Sequence, residues 1–202
     1  QPRLLELVWG GQNLARLLDK PITPDQRIAE TWEAWDGCVI ENGAEREATL
    51  GDLLARDAAA ILGAHARGNR FPLLFKFIDA QEDLSVQVHP DDEAARRAGL
   101  PCGKSECWYV LAARRGAQIG LGLKPGITRA GFEQAIRDSR ADEMLHWVEV
   151  HRGEMIYSPA GTVHAIGPGL VLVETQQNSD TTYRLYDYGR GRELHVAEGL
   201  EA

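Results

Sequence analysis

The chain has 202 residues, 44% of them hydrophobic and 26% charged, which is enough apolar material for the core of one domain and excludes wholesale disorder. Its formal net charge of −8 argues against non-specific nucleic-acid binding, which needs a basic face, but leaves room for a small anionic substrate held by a few local cations. No stretch approaches the roughly 18 apolar residues of a membrane span, so we expect neither a membrane partner nor a secretory signal.

Three helical segments stand out along the first two thirds of the chain. Residues 1–50 are rich in Gly, Pro and Trp and keep no sustained period, so we expect an irregular N-terminal part packed on the rest of the fold. A helix is predicted over residues 50–63 with Thr49 as its cap. Residues 91–98 have an acidic start and a basic end, which suits a short helix. A third helical region is predicted from residue 128 to about residue 147.

The remaining ordered segments have the features of short strands separated by Gly or Pro turns. These strands are predicted over residues 73–78, 84–89, 107–112, 117–123, 147–151, 154–157, 163–166, 170–175 and 182–188. Their spacing favours an antiparallel sandwich or barrel over a βαβ repeat. The predicted fold class is therefore mainly β, an antiparallel β-barrel with a few peripheral helices, in one domain over residues 1–202.

A polar row follows one face of the strand predicted over residues 84–89. Because side chains alternate along a strand, Ser85, Gln87 and His89 share one face while valines occupy the other. Inside a barrel such a row needs polar partners, and a metal ion could bind the amide oxygen and the imidazole nitrogen. The alternative is a polar stripe that faces solvent.

A second segment, residues 153–164, has the spacing G-x5-P-x-G-x2-H and ends at His164. This pattern resembles the second motif of the cupin barrels, a jelly-roll fold in which that histidine is a metal ligand. The chain departs from the usual cupin pattern at three places. Pro168 stands where an Asn is usual, Gln87 with His89 replaces the usual His-x-His, and the Glu expected close behind is missing.

The departures point to one cupin family. Residues 84–92, 103–109, 159–166 and 174–187 resemble the class I mannose-6-phosphate isomerases, also called phosphomannose isomerases. The resemblance covers nearly the whole chain in the family's order. It implies a cupin fold and interconversion of mannose 6-phosphate and fructose 6-phosphate.

The resemblance also implies a zinc site. The family's Gln-x-His corresponds to Gln87 and His89, its Lys-x-Glu supplies Glu106, and the histidine after Pro-x-Gly is His164. One carboxylate among four ligands leaves the site net positive beside Zn²⁺, so it can polarise substrate oxygens. We expect one Zn²⁺ per chain, and another divalent ion is an alternative.

Three more residues are carried over as the catalytic group. Lys104, two residues before a ligand, is a candidate acid or base, and Glu174 with Arg184 matches a family pair. On neighbouring strands that face inward, the carboxylate would move a proton while Arg184 stabilises an anionic oxygen. The alternatives are a structural ion pair between Glu174 and Arg184 and a solvated Lys104.

The substrate phosphate needs contacts of its own. Ser85 shares the face of the polar row, Arg190 matches a basic family residue, and Trp32 matches a family segment that borders the site. Surface or core packing is the alternative for each of them. Asp91 and its neighbour Asp92 are expected to cap the following helix rather than bind metal.

The resemblance leaves the substrate and the setting open. Typical family members continue into a C-terminal β domain, which we expect to be absent because the sequence stops at Ala202. Another sugar phosphate, a non-catalytic sugar-phosphate-binding cupin and an iron oxygenase therefore stay as alternatives.

Cys38, Cys102 and Cys107 cannot all pair, so we expect a cytoplasmic protein with reduced thiols. The oligomeric state is not predicted.

Overall fold

The computed structural model describes residues 1–65 and 68–202, which form eleven strands and five α-helices. The strands are β1 (Arg3–Gly11), β2 (Ile28–Ala34), β3 (Leu73–Ala80), β4 (Val86–Val88), β5 (Glu106–Ala113), β6 (Gln118–Leu123), β7 (Leu145–Glu149), β8 (Met155–Ser158), β9 (His164–Ile166), β10 (Leu170–Gln177) and β11 (Tyr183–Tyr186). The helices are α1 (Asn13–Leu18), α2 (Leu50–Leu62), α3 (Asp92–Arg97), α4 (Arg129–Arg137) and α5 (Val196–Glu201).

The strands form two antiparallel sheets. The six-stranded sheet has the order β1-β2-β3-β10-β5-β8, and the five-stranded sheet has the order β11-β4-β9-β6-β7. In both sheets strands far apart in sequence lie side by side, such as β10 between β3 and β5. The predicted mainly β, antiparallel fold with peripheral helices is confirmed.

The composition predicted an irregular N-terminal part over residues 1–50, but the structure has two strands there. β1 and β2 pair with each other and extend the six-stranded sheet through β3. Apolar side chains lie on both faces of β1, since Leu7 and Trp9 join the main core while Leu4 packs with α1. This distribution hides the two-residue period, and the pairing with distant β3 cannot be read locally.

Two helix predictions need correction. The helix predicted at 50–63 is present and has the predicted cap, with the Asp52 amide donating to the Thr49 hydroxyl. It breaks at Asp57, whose φ is −156°, and only Leu54 of its apolar residues is buried. The third helix ends at Arg137, and the stretch predicted to continue it runs on as a short 3-10 turn and strand β7.

None of the helices in residues 1–65 and 68–202 is long and apolar enough to cross a membrane. The helices instead cover the sheets. α1 lies on the outer face of the six-stranded sheet, where Leu14 packs against Ile28 and Val171. α4 and α5 lie on the outer face of the five-stranded sheet.

Because α4 and α5 cover the outer face of the five-stranded sheet, they determine which side chains face the space between the two sheets. Val86 and Val88 are buried with Phe132 of α4 and Leu185 in this outer layer. Because neighbours on a strand alternate, Gln87 must then face the space between the two sheets. Further along that space an apolar core fills it, with residues from both sheets in contact.

We expect the inter-sheet core to dominate stability. Leu172 is completely buried in that core, so Leu172→Ala should lower the free energy of unfolding by about 2–5 kcal/mol through lost burial and a cavity. Urea unfolding of the metal-free protein measures this change. Leu17→Ala is the matched control because that side chain is 53% exposed and should cost little. Equal effects of the two changes would contradict the assignment of the core.

Candidate metal centre and active site

Three buried side chains come together between the sheets: His89, Glu106 and His164. Each offers one ligand atom, and these atoms lie within 4.8 Å of one another. Glu106 begins β5 of the six-stranded sheet, whereas His164 begins β9 of the five-stranded sheet and His89 follows β4. The cluster therefore links the two sheets at the end of the core.

Each histidine is oriented by a backbone carbonyl. His89 Nδ1 is 2.9 Å from the carbonyl oxygen of Thr181, and His164 Nδ1 is 2.9 Å from that of Thr162. A carbonyl can only accept, so the proton of each neutral ring sits on Nδ1. Both Nε2 lone pairs are then directed at Glu106, at 3.4 Å from Oε1 for His89 and 3.3 Å from Oε2 for His164.

This arrangement fits a cation. Within the described residues neither oxygen of Glu106 accepts a hydrogen bond, although both are buried. Burial, followed by the charge of Lys104, lowers the pKa of His89 to about 3, so its ring is neutral and able to bind a metal. Two imidazole nitrogens, a carboxylate and outer carbonyl contacts make a suitable donor set for a divalent transition metal.

Gln87 stands beside this cluster. Its Nε2 is 3.2 Å from His164 Nε2, and its Oε1 accepts from the Ser85 hydroxyl at 3.2 Å. The two ends of a primary amide have the same shape, so a half-turn of the group exchanges them and places the oxygen beside His164. The structure thus brings all four predicted ligands together.

Lys104 contacts the same carboxylate. Its Nζ is 3.0 Å from Glu106 Oε1 and 3.4 Å from His89 Nε2, and the side chain is buried. Burial opposes the negative charge of Glu106, but Lys104 and His89 outweigh burial and hold the Glu106 pKa well below its usual value. The alternative of a solvated lysine is wrong.

Glu174 lies on β10 across from β3, in a second ion pair. Its Oε1 is 3.1 Å from Lys76 Nζ, and its Oε2 accepts a 2.7 Å hydrogen bond from the Trp108 indole. Burial, followed by the negative charge of Glu106, raises the pKa of Glu174. A carboxyl group tuned in this direction suits proton transfer near neutral pH.

Arg184 and Glu174 do not form an ion pair. The alternative of a structural ion pair between them is therefore wrong. The two residues lie on different sheets and not on neighbouring strands, but both line one small cavity of about 100 Å³ between the sheets. Lys104, Glu106 and Gln87 line this same space, which we name the inner cavity. Burial and the nearby Arg192 lower the pKa of Arg184, whose Nε has no partner among the described residues.

A wider groove of about 790 Å³, which we name the outer groove, adjoins the inner cavity. Leu7, Trp9 and Arg192 line both spaces. Ser85 lines the inner cavity, as the polar row predicts, and is 3% exposed. Arg192 is thus the charged residue that lies where the two spaces meet.

Other predicted site residues lie outside the inner cavity. Arg190 lines only the outer groove, donates to the Asp83 carbonyl at 2.8 Å and pairs with Glu82. Trp32 donates to Glu30 and packs its ring 5.1 Å from Lys76 Nζ, so it reaches the site through other residues.

The acidic pair before α3 stays away from the cluster, as expected. Asp91 caps α3 by accepting from the Ala94 amide at 2.7 Å. Asp92 does not share this cap. It accepts from the Gly103 amide at 2.8 Å and from Gln177.

Sequence reasoning missed two cations of the inner cavity. Lys76 is a lone charge in an otherwise apolar strand, which is a usable signal because an unpaired lysine is rarely buried. The carboxylates of Glu30 and Glu174 outweigh its burial and raise its pKa. Arg192 follows a Gly-Arg-Gly turn, and no local pattern marks it as a cavity residue.

Comparisons with known proteins identify the family of this chain. Residues 1–124 match the family described as phosphomannose isomerase type I, catalytic domain. The chain is 42% identical over its whole length to mannose-6-phosphate isomerase ManA of Bacillus subtilis (strain 168), of which it covers 66%. The chain belongs to the type I phosphomannose isomerase family.

The solved structures of similar proteins share this fold. A crystal structure of the mannose 6-phosphate isomerase from Bacillus subtilis matches with a TM-score of 0.91 and 34% identity, over 100% of this chain and 67% of that one. A zinc-bound mannose 6-phosphate isomerase matches with a TM-score of 0.73, over 100% of this chain and 72% of that one; its 17% identity shows the fold alone. The chain spans about 66% of the length of its curated phosphomannose isomerase relatives.

We expect Glu106 to be the strongest determinant of metal binding, because it brings the only carboxylate. Glu106→Gln keeps the shape and removes the charge, so zinc affinity should fall at least about tenfold. Glu106→Ala should cost at least as much as Gln87→Ala. Equilibrium dialysis against zinc, followed by elemental analysis, measures the bound metal.

The matched control is Glu174→Gln. This change removes a buried carboxylate of the same cavity whose oxygens face Lys76 and Trp108 instead of the cluster. It removes no predicted ligand atom, so it should change zinc affinity much less than Glu106→Gln does. Equal zinc content in Glu106→Gln and wild type would show that Glu106 is not a ligand.

Proposed function

We propose that this chain is a zinc-dependent aldose–ketose isomerase that interconverts mannose 6-phosphate and fructose 6-phosphate. The observation that carries the proposal is that Lys104, Glu174 and Arg184 line the same small cavity as Glu106 and Gln87. A cupin that only bound a sugar phosphate would need no buried acid and base beside its metal cluster. The family membership and the curated relatives support the same reaction.

The metal would be held by Gln87, His89, Glu106 and His164. When bound there, a divalent ion supplies Lewis-acid polarisation of substrate oxygens. The zinc-bound mannose 6-phosphate isomerase with the same fold supports zinc as the ion. One cluster in the described residues supports one ion per chain.

The reaction moves one proton between neighbouring carbons through a cis-enediol. A base takes the proton from C2 of the aldose, and the electron pair of that bond forms a double bond between C1 and C2 while O1 takes the negative charge. The proton then returns to C1, and O2 gives up its own proton to become the carbonyl oxygen. We assign the carbon proton to Glu174, because its raised pKa suits both taking and returning it.

Lys104 and Arg184 have supporting roles in this scheme. The Lys104 ammonium, a donor in the same cavity, moves the proton between O1 and O2. Arg184 has an Nε without a partner within the described part of the chain, so it can donate to the enediolate as charge develops there. A fixed donor of this kind stabilises the transition state more than the neutral sugar.

The phosphate contact is reassigned from Arg190 to Arg192. A space of about 100 Å³ takes only the reacting end of a hexose phosphate, so the phosphate must lie toward the outer groove. Arg192 lines both spaces, and its ion pair with Asp187 uses only Nε and Nη2. Arg190 lines only the outer groove and is held there by Glu82 and Asp83. Ser85, inside the cavity, contacts Gln87 and so orients a ligand of the metal.

The cytoplasm is the proposed location. The three cysteines Cys38, Cys102 and Cys107 are unpaired thiols, which supports a reducing compartment.

Removing Arg184 should separate chemistry from metal binding. Arg184→Ala should keep its zinc and its fold, while turnover falls roughly a hundredfold or more, the scale for losing one transition-state donor. Lys104→Ala should likewise spare the metal and change the pH dependence of turnover. A coupled assay for fructose 6-phosphate formation measures the rates.

Isomerase assays with several aldose and ketose phosphates, each coupled to detection of its own product, test the alternatives. Wild-type rates in both Arg184→Ala and Lys104→Ala would show that the assignment of these two residues is wrong. No turnover of any sugar phosphate by the wild type would favour the non-catalytic binding protein. A second sugar phosphate turned over faster than mannose 6-phosphate would change the substrate and keep the mechanism.

The phosphate assignment predicts a difference between two neighbouring arginines. Arg192→Ala should raise KM for mannose 6-phosphate roughly 10- to 100-fold, the scale of a lost charge-assisted hydrogen bond. Arg190→Ala is the matched control, since it also removes a cation beside Asp187, and should change KM little. A larger effect at Arg190 would return the phosphate contact to that residue.

A further inference from the structure

The backbone of Arg184 is held from the outer edge of its sheet. β11 is an edge strand with β4 as its neighbour, and Arg184 stands opposite Gln87 in that pair. Opposed residues in an antiparallel pair alternate between exchanging hydrogen bonds and directing their backbone groups away. The amide and the carbonyl of Arg184 both bond to His195, so they point to the outer edge.

Three hydrogen bonds tie Arg184 to residues 193–195. The His195 amide donates to the Arg184 carbonyl at 2.7 Å, and the Arg184 amide donates to His195 Nδ1 at 3.4 Å. The Arg184 guanidinium donates through Nη1 to the Glu193 carbonyl at 2.9 Å. One short segment therefore holds both the backbone and the head group of this side chain.

The segment is itself anchored at both ends. Before it, Arg192 makes a two-pronged ion pair with the buried Asp187, at 2.8 and 2.5 Å. After it, the Gly199 amide donates to the His195 carbonyl at 2.8 Å, at the start of α5. A Cβ on Gly199 would lie 2.5 Å from the Leu185 side chain, so a glycine lets α5 sit directly on β11.

We propose that His195 is a positioning residue for Arg184. Its Nδ1 accepts the Arg184 amide and so keeps that strand residue, with its guanidinium, aimed into the inner cavity. This inference rests on the proposed function, where Arg184 acts on the enediolate. Because Nδ1 accepts, the neutral ring must carry its proton on Nε2.

Two substitutions at His195 distinguish the loss of the hydrogen-bond acceptor from the loss of the imidazole ring. His195→Leu removes the acceptor, and we expect kcat to fall roughly 10- to 100-fold with KM little changed, as for a misplaced catalytic group. His195→Asn keeps an acceptor near the Nδ1 position and should retain most of the activity. His146→Leu, at an exposed histidine of β7, is the matched control and should behave as wild type.

A merely structural role predicts other results. Wild-type kcat in His195→Leu would overturn the proposal. An equal loss in His195→Asn and His195→Leu would overturn it too, because the cause would then be packing of the ring against Tyr183. Zinc content of each variant is measured alongside, and it should stay at the wild-type level.

A double-mutant cycle tests whether His195 acts through Arg184. In the Arg184→Ala background, His195→Leu should reduce kcat by less than about twofold, because the group that it positions is already gone. The same factor of loss in both backgrounds would show independent action and overturn the proposal.

The hydrogen bond from the Arg184 amide to His195 Nδ1 can also be tested without an activity assay. Nitrogen-15 NMR of the wild-type protein should show His195 with Nδ1 unprotonated and the proton on Nε2, and a proton on Nδ1 would overturn the proposal. This measurement also stands if His195→Leu does not fold. A wild-type protein that turns over no sugar phosphate would overturn the proposed function, whereas the NMR result reports on His195 alone.

Discussion

Glu106 keeps a negative charge on a buried side chain, and among the described residues neither of its oxygens accepts a hydrogen bond. An isolated buried carboxylate would be very costly, so the surroundings must supply positive charge. Lys104 supplies part of it at 3.0 Å. The two histidines present lone pairs instead of protons, and this leaves room for a second cation among the three side chains.

The same charge acts on Glu174, the other buried carboxyl group that we propose to take part in proton transfer. Glu106 lies on β5 and Glu174 on the neighbouring strand β10 of the six-stranded sheet. Burial and the negative charge of Glu106 both raise the pKa of Glu174. Lys76 acts in the opposite sense and holds Glu174 in position. In the proposed function, metal binding and proton transfer are therefore coupled through electrostatics, since a cation at Glu106 would also change the field at Glu174.

Local patterns account for much of the fold and of the metal cluster. Alternation along β4 predicted that Gln87 faces away from the valines, and capping residues predicted where α2 and α3 begin. Resemblance to a family supplied the four predicted ligands, and these side chains lie together in the structure. The N-terminal strands were missed because β1 carries apolar residues on both faces, and the end of α4 was missed because apolar residues continue into β7.

By itself the sequence determined the strand periods and the helix caps, because these depend on neighbours within a few residues. The predicted ligands came from short motifs shared with a family. Only the tertiary structure decided that Arg184 faces Glu174 from the opposite sheet, that Lys76 pairs with Glu174, and that Arg192 instead of Arg190 reaches the inner cavity. Such contacts join residues that are distant along the chain. Their geometry depends on how the two sheets stack and on which helices cover them, which no local period encodes.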